Sequence, residues 1–370
     1  MKWTVAILGA TGAVGRVMRT CLEASPIGVG ELRLLATSRS AGTTFPFRGE
    51  EVRVEEVTEQ AFRGVDLALF SAGASASGDW AGVARAAGAW VVDNSSRWRM
   101  DPDVPLVVPE VNPDAIPGTP TLIANPNCST IQMVAALQPI HARYGLRRVV
   151  VSTYQAVSGT GEKGVRALEL ESTRWRDASR DGTNALAGGA DAQAQDAHAQ
   201  KEHQFAYGAA DDPAATGSPY PHPILGNVIP QCDVVLEDGY TREEQKMIDE
   251  TRKIMGLPDL VVQPTCVRVP VVKAHSEAVY VETDRPADVA EVRALLAESP
   301  GIELLDDPFQ AVYPLPRKAA ETDPVWVGRI RQDRCVPNGL HLWVVADNLR
   351  KGAALNALQI AERIWERTTR

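Results

Sequence analysis

Apolar runs of strand length punctuate the first third of the chain. Trp3 to Leu8, Leu32 to Ala36, Val65 to Phe70 and Trp90 to Val92 are nearly continuous in hydrophobic residues, as strands buried on both faces must be. Helical spacing fills two of the gaps, from Arg16 to about Ala24 and from Trp80 to Ala87. A short strand, Leu122 to Ala124, is followed by the helical pattern Ile131 to Leu137. This alternation predicts an α/β fold with a doubly wound, largely parallel sheet.

The pattern changes after residue 130. Arg147 to Thr153 is a β-branched strand, and a helix starts near Val165 and carries Leu168 and Trp175. Thr241-Arg242-Glu243-Glu244 has the form of a capping box, with Thr241 as N-cap and Glu244 reaching back. That helix continues through Met247, Ile248, Ile254 and Met255. Two strands follow, one containing Arg268 and one starting just after His275. The last helix places Leu355, Leu358, Ala361 and Ile364 or Trp365 on one face, which suits packing back onto the first domain. The expected organisation is a nucleotide-binding domain of residues 1–130 plus 350–370, and a second α+β domain, 131–349. Residues 177–217 are rich in Ala, Gly, Asp and Gln and read as an excursion with little chemistry, its His198 and His203 solvated.

Composition narrows the function. A net charge of −9 over 370 residues, without any Lys/Arg run, argues against nucleic acid as partner. No apolar run approaches membrane-spanning length. Five cysteines without CxxC spacing suit reduced thiols in the cytoplasm better than disulfides or a metal site.

The chemistry-bearing residues lie where predicted elements meet. Gly9-Ala10-Thr11-Gly12-Ala13-Val14-Gly15 joins the first strand to the first helix, the parts of a Rossmann-type dinucleotide turn. After the second strand come Thr37, Ser38, Arg39 and Ser40. An arginine with hydroxyls suits a ribose 2′-phosphate, where an NAD site would place an acid, so NADP(H) is the expected cofactor. Ser71 opens a small-residue loop, Ser71 to Ser77, at another strand's carboxyl end. Arg97 and Arg99 follow a strand and fit either an anion site or a surface loop. Cys128, in Asn125-Pro126-Asn127-Cys128-Ser129-Thr130, sits where a strand ends and a helix begins. Unpaired N–H groups and the helix dipole favour a thiolate there, although the stretch alone also fits a buried structural cysteine. A second glycine loop runs from Tyr154 to Gly164. Glu243 and Lys246 share a helix face, as a surface ion pair or a functional one. Arg268 among apolar neighbours calls for an anion such as a carboxylate. His275 is a candidate acid/base for a cysteine nucleophile.

The set, in order, resembles the aspartate-semialdehyde dehydrogenase family over nearly the whole chain. The motifs that carry the resemblance are GATGAVG, TSRSAG, FSAGAS, NPNCST, QAVSGTG, CVRVPVVKAHSEAVYVET and DNLRKGAA. The 177–217 stretch looks long for that family. The resemblance implies that Cys128 is the nucleophile, Asn127 shapes the acyl pocket, Gln155 orients the substrate and His275 is the acid/base. It implies Arg268 for the substrate α-carboxylate, Glu243 for its ammonium, and Lys246 with Arg99 for phosphate, leaving Arg97 open. Gly9, Thr11, Gly12, Ala13, Val14, Thr37, Arg39, Ser40, Ser71, Ser158, Gly159 and Asn348 are the expected cofactor contacts. It also implies a homodimer and a place in lysine, methionine and threonine biosynthesis. The implied reaction is NADPH-dependent reduction of L-4-aspartyl phosphate through a cysteine thioester. A reductase of N-acetyl-glutamyl phosphate is the nearest alternative, but its acetylated amine would leave Glu243 without a charged partner. Glyceraldehyde-3-phosphate dehydrogenase shares the thioester logic but would place an acid after the second strand. A catalytically inactive nucleotide-binding regulator would have no need of Cys128, Gln155, Arg268 and His275 together.

Overall fold

A computed structural model describes residues 1–182 and 217–369. The core of the expected 177–217 excursion, with His198 and His203, lies outside the described residues. The first sheet contains β1 (Trp3–Leu8), β2 (Val29–Ala36), β3 (Thr44–Phe47), β4 (Glu50–Glu56), β5 (Leu67–Phe70), β6 (Trp90–Asp93) and β7 (Leu122–Ala124). Their order is β3-β4-β2-β1-β5-β6-β7, and every pairing is parallel except the β3–β4 hairpin. Because β1 lies between β2 and β5, the strand order reverses there, and the crevice beyond its carboxyl end is where such sheets bind ligands. Two helices belong to this part, α1 (Ala13–Ala24) and α2 (Ala74–Ala86).

Three local expectations need correction. Helix α1 starts at Ala13, inside the glycine motif, and not at Arg16. Helix α2 starts at Ala74, so the Ser71–Ser77 loop is a loop only as far as Gly73. Small Ala and Ser residues carry no apolar periodicity, which hid the first turns of α2. The β3–β4 hairpin was not anticipated, because the charge-rich β4 lies near the sheet edge with only Val54 fully buried.

The second sheet contains β8 (Arg148–Gln155), β9 (Val261–Arg268), β10 (His275–Glu282), β11 (Ile302–Leu304), β12 (Val325–Gln332) and β13 (Gly339–Ala346). Its order is β11-β12-β13-β10-β8-β9, with β8–β9 and β11–β12 parallel and the remaining pairs antiparallel. The accompanying helices are α3 (Cys128–Tyr144), α4 (Glu162–Gly182), α5 (Arg242–Met255), α6 (Val289–Ala297) and α7 (Pro316–Ala319), and the chain ends in α8 (Leu355–Thr369), which packs on the first sheet.

Helix α3 is hydrophobic almost all round, and both sheets use it. Met133, Leu137 and Ile140 join Val149, Val151, Val279 and Val344 of the second sheet in one core. Ile131 and Val134 join Ala68, Val91 and Ala124 of the first sheet in another. The amino end of α3, and Cys128 with it, is therefore held at the seam between the sheets. The chain closes on itself as the last helix's pattern predicts. Ala357, Leu358, Ile360, Ala361 and Ile364 of α8 pack with Val5, Ile7 and Met18, and Trp365 meets Trp3 edge to face at 4.8 Å. A short π-helical segment, Arg350–Ala354, leads into α8 and passes directly beside Cys128.

Candidate active site

Asn127 is the N-cap of α3, a role its short polar side chain fits. Its Oδ1 accepts from the Ser129 and Thr130 N–H groups at 3.0 and 3.3 Å, while its Nδ2 donates to Glu243 Oε1 at 2.9 Å. Cys128, the first helical residue, keeps one side open to a cavity of about 1140 Å³. Burial pushes its thiol up to about 12, the nearby Glu243 carboxylate adds to the rise, and Arg268, Arg99 and the Ser129 N–H oppose it. Burial and the Glu243 carboxylate thus work against the thiolate that the helix end favours, and Asn127 Oδ1 competes for the Ser129 and Thr130 N–H groups. Glu243→Gln removes one cause of the rise, so the thiol pKa falls and the thiolate fraction grows. Alkylation of Cys128 by iodoacetamide at pH 8 is expected to speed up about tenfold, and an unchanged rate would show that Glu243 does not act on the thiol.

Glu243 is the hub of one wall. Besides Asn127, its Oε1 accepts from Gln155 Nε2 at 3.2 Å, and its Oε2 meets Lys246 Nζ at 3.2 Å. Lys246 also pairs with Asp233 at 2.7 Å. The capping box that starts α5 is complete, with Thr241 Oγ1 accepting from the Glu244 N–H and Glu244 accepting from the Thr241 N–H. It sets the helix phase that turns Glu243 and Lys246 inward.

Opposite lie Arg268, the last residue of β9, and His275, the first of β10. The backbone of one residue, Ala156, orients both. The Ala156 N–H donates to His275 Nδ1 at 3.0 Å, and the Ala156 carbonyl accepts from Arg268 Nη1 at 2.6 Å. A peptide N–H can only donate, so the neutral imidazole carries its proton on Nε2. Burial, with Arg268 adding, holds the His275 pKa well below the usual histidine value. Ala274, just before it, adopts φ 71°, and its N–H is bound by Asn348 Oδ1, which also accepts from Ser158 Oγ. Ser158, Asn348 and His275 are thereby tied together.

Arg99 enters from the loop after β6. Its Nε and Nη2 donate to the Ser95 and Asn94 carbonyls, and its Nη1 pairs with Glu250 Oε1 at 3.0 Å. The cavity continues toward Gly12, Ala13, Val14 and Ser71. Gly9 has φ 82°, and a Cβ there would come within 2.9 Å of the Ala72 nitrogen, so no side chain fits the turn. No side chain caps α1 at Gly12, which leaves its first-turn N–H groups for a pyrophosphate. These features fit a bound dinucleotide.

One cavity therefore brings together Cys128, Asn127, Gln155, Arg268, Glu243, Lys246, Arg99, Gly12, Ala13, Val14, Ser71, Ser158, Gly159 and Asn348. Gly9, Thr11, Thr37, Arg39, Ser40 and His275 do not line it. Thr37 and Arg39 are exposed, beyond the end of β2, whose Leu35 carbonyl is bonded to the Gly9 and Ala10 N–H groups. His275 is fully buried, directly behind Gly159. Glu250 and the Ala156 backbone were not foreseen. For Glu250 the available signal was an acid seven residues beyond Glu243, on the same helix face. Among the described residues no group of three or more His, Cys, Asp or Glu side chains is placed to hold a metal ion, and no helix is long and apolar enough to cross a membrane.

The dinucleotide turn, the second α+β sheet and the cysteine between them define an oxidoreductase with a nucleotide-binding domain. Residues 4–119 match the semialdehyde dehydrogenase NAD binding domain, and residues 137–351 match the semialdehyde dehydrogenase dimerisation domain. The aspartate-semialdehyde dehydrogenase of Aquifex aeolicus is 47% identical over 365 residues, spanning 98% of each chain. That of Bacillus subtilis is 47% identical over 361 residues, covering 97% of this chain and 96% of its own. The crystal structure of aspartate semialdehyde dehydrogenase II from Vibrio cholerae, complexed with ASA, superposes with a TM-score of 0.82 at 44% identity over 98% of each chain. The chain belongs to the aspartate-semialdehyde dehydrogenase family, oxidoreductases of amino-acid biosynthesis.

Proposed function

We propose that the chain reduces L-4-aspartyl phosphate to L-aspartate 4-semialdehyde with NADPH, through a thioester on Cys128. The observation that carries this reading is the single cavity joining the glycine turn to Cys128, Gln155, Glu243, Lys246, Arg99 and Arg268. A carboxylate does not accept hydride readily but a thioester does, so a sulfur nucleophile fits the reaction. The Cys128 sulfur attacks the acyl carbon, a C–S bond forms, the C–O bond to phosphate breaks, and the thiol proton leaves with the phosphate. Arg99 and Lys246 hold the departing anion. Arg268 grips the substrate α-carboxylate, Glu243 meets its ammonium, and Gln155 and Asn127 shape the acyl pocket. The dinucleotide, when bound, supplies hydride to the thioester carbon. His275, behind Gly159 at the edge of the cavity, is assigned the acid/base role toward the thiohemiacetal, its exchangeable proton held on Nε2. Breaking the C–S bond then releases the aldehyde.

The buried Glu243 carboxylate favours a free ammonium over an acetylated amine. NADP⁺ reduction with L-aspartate 4-semialdehyde and phosphate tests the assignment, and equal turnover of the N-acetyl-glutamyl substrate would remove it. For the cofactor, Arg39 and its hydroxyl neighbours, with no acid between Thr37 and Ser40, support NADP(H) over NAD(H). Arg39→Ala is expected to raise KM for NADPH about tenfold or more, the worth of a charge-assisted hydrogen bond, and to leave KM for NADH nearly unchanged. An equal effect on both would refute the 2′-phosphate contact. The reading also divides the chain into a nucleotide unit, 1–130 with 350–370, and a catalytic and dimerisation unit, 131–349. The match to a dimerisation domain supports a homodimer, and a cytoplasmic location suits the reduced cysteines.

A further inference from the structure

Glu250 lies two turns beyond Glu243 on α5 and is 1% exposed. It does not line the cavity, so it does not touch a substrate there. Its two oxygens nevertheless reach two separate parts of the site. Oε2 accepts from the Asn127 peptide N–H at 2.6 Å, one residue before the cysteine. Oε1 pairs with Arg99 Nη1 at 3.0 Å. The other hydrogen bonds of the Arg99 guanidinium go to the neutral Ser95 and Asn94 carbonyls, and Glu250 is its ion-pair partner. Asn127 is held twice by the same helix, its backbone by Glu250 and its side chain by Glu243. Burial raises the Glu250 pKa, while Arg99 and the Asn127 N–H oppose the rise. A group kept there against its desolvation needs a structural reason.

We propose that Glu250 is a positioning residue that locks the phosphate-binding arginine to the peptide in front of the nucleophile. It fixes the direction of Arg99 and the N-cap conformation of Asn127 (φ −62°, ψ 145°) with one carboxylate. The anion site and the sulfur then keep one separation, as addition of the sulfur to the acyl carbon with departure of phosphate requires. The idea rests on the reading of Arg99 as a phosphate ligand, and it adds a residue which that reading does not assign.

The test uses the full chain and the rate at which iodoacetamide alkylates Cys128, with inorganic phosphate or NADP⁺ as protectant. Glu250→Gln preserves shape but presents an NH₂ group to one of the two donors. Glu250→Asp keeps the charge but is too short to span both. Each is expected to raise the half-protecting phosphate concentration about tenfold, the worth of one lost charge-assisted contact, without changing that of NADP⁺. In an Arg99→Ala background, Glu250→Gln is expected to add nothing further. A phosphate value within twofold of wild type for both variants would overturn the proposal. So would phosphate and NADP⁺ values moving together, which would mark general loosening, or effects that multiply in the double variant. Lack of phosphate protection in the wild type would instead remove the phosphate-ligand reading beneath it.

Discussion

Cys128→Ala is expected to lower kcat for NADP⁺ reduction with L-aspartate 4-semialdehyde and phosphate on the order of 10⁴-fold or more, as loss of a nucleophile does elsewhere. Cys128→Ser is expected to fare little better. A serine hydroxyl ionises far less readily than a thiol, and the ester it would form accepts hydride less readily than a thioester. The fold should persist, because the side chain borders the cavity and α3 is anchored by Ile131, Met133 and Val134. Thermal unfolding within a few degrees of wild type, together with lost turnover, is the predicted pair of results. Turnover surviving in the alanine variant would remove the thioester.

The second large effect is expected at Gly159. A Cβ there would lie 2.9 Å from Arg268 Nη1 and 3.1 Å from both His275 Cε1 and Nε2. Neither neighbour can retreat freely. Arg268 is held at 2.6 Å by the Ala156 carbonyl, and His275 is fully buried with Nδ1 fixed. Gly159→Ala therefore displaces the carboxylate grip and the acid/base group together, and kcat/KM should fall about 10²-fold, the scale of misplacing catalytic groups by about 1 Å. Gly82→Ala is the matched control. It lies in α2 with nothing within 4 Å of a Cβ, so activity should hold and stability rise by about 0.5–1 kcal/mol. Gly159→Ala activity within twofold of wild type would show that the loop does not constrain the site.

Features with a local physical cause were legible in the chain alone. The glycine turn, the start of α3 at Cys128, the Thr241–Glu244 capping box and the apolar face of α8 all depend on residues within a few positions of one another. The second glycine loop and the anion that Arg268 calls for were also read from the residues, and the resemblance added a role for Gln155; the structure places Arg268, Cys128 and Gln155 on one cavity. What escaped was tertiary. The upward push on the Cys128 thiol comes from burial between the sheets and from Glu243, which arrives from another element. Glu250 looked like any helical acid until α5 turned it toward Arg99 and Asn127. The first turns of α2 carry Ala and Ser where a periodic signal would need larger residues.

The most direct test of the thioester is to mix the full-length protein with NADP⁺ and L-aspartate 4-semialdehyde in the absence of phosphate. The account predicts a burst of NADPH, one equivalent per active site, and an aspartyl adduct on the Cys128 peptide that added phosphate releases. An enzyme that turns over with phosphate, yet shows neither burst nor adduct without it, would contradict the account.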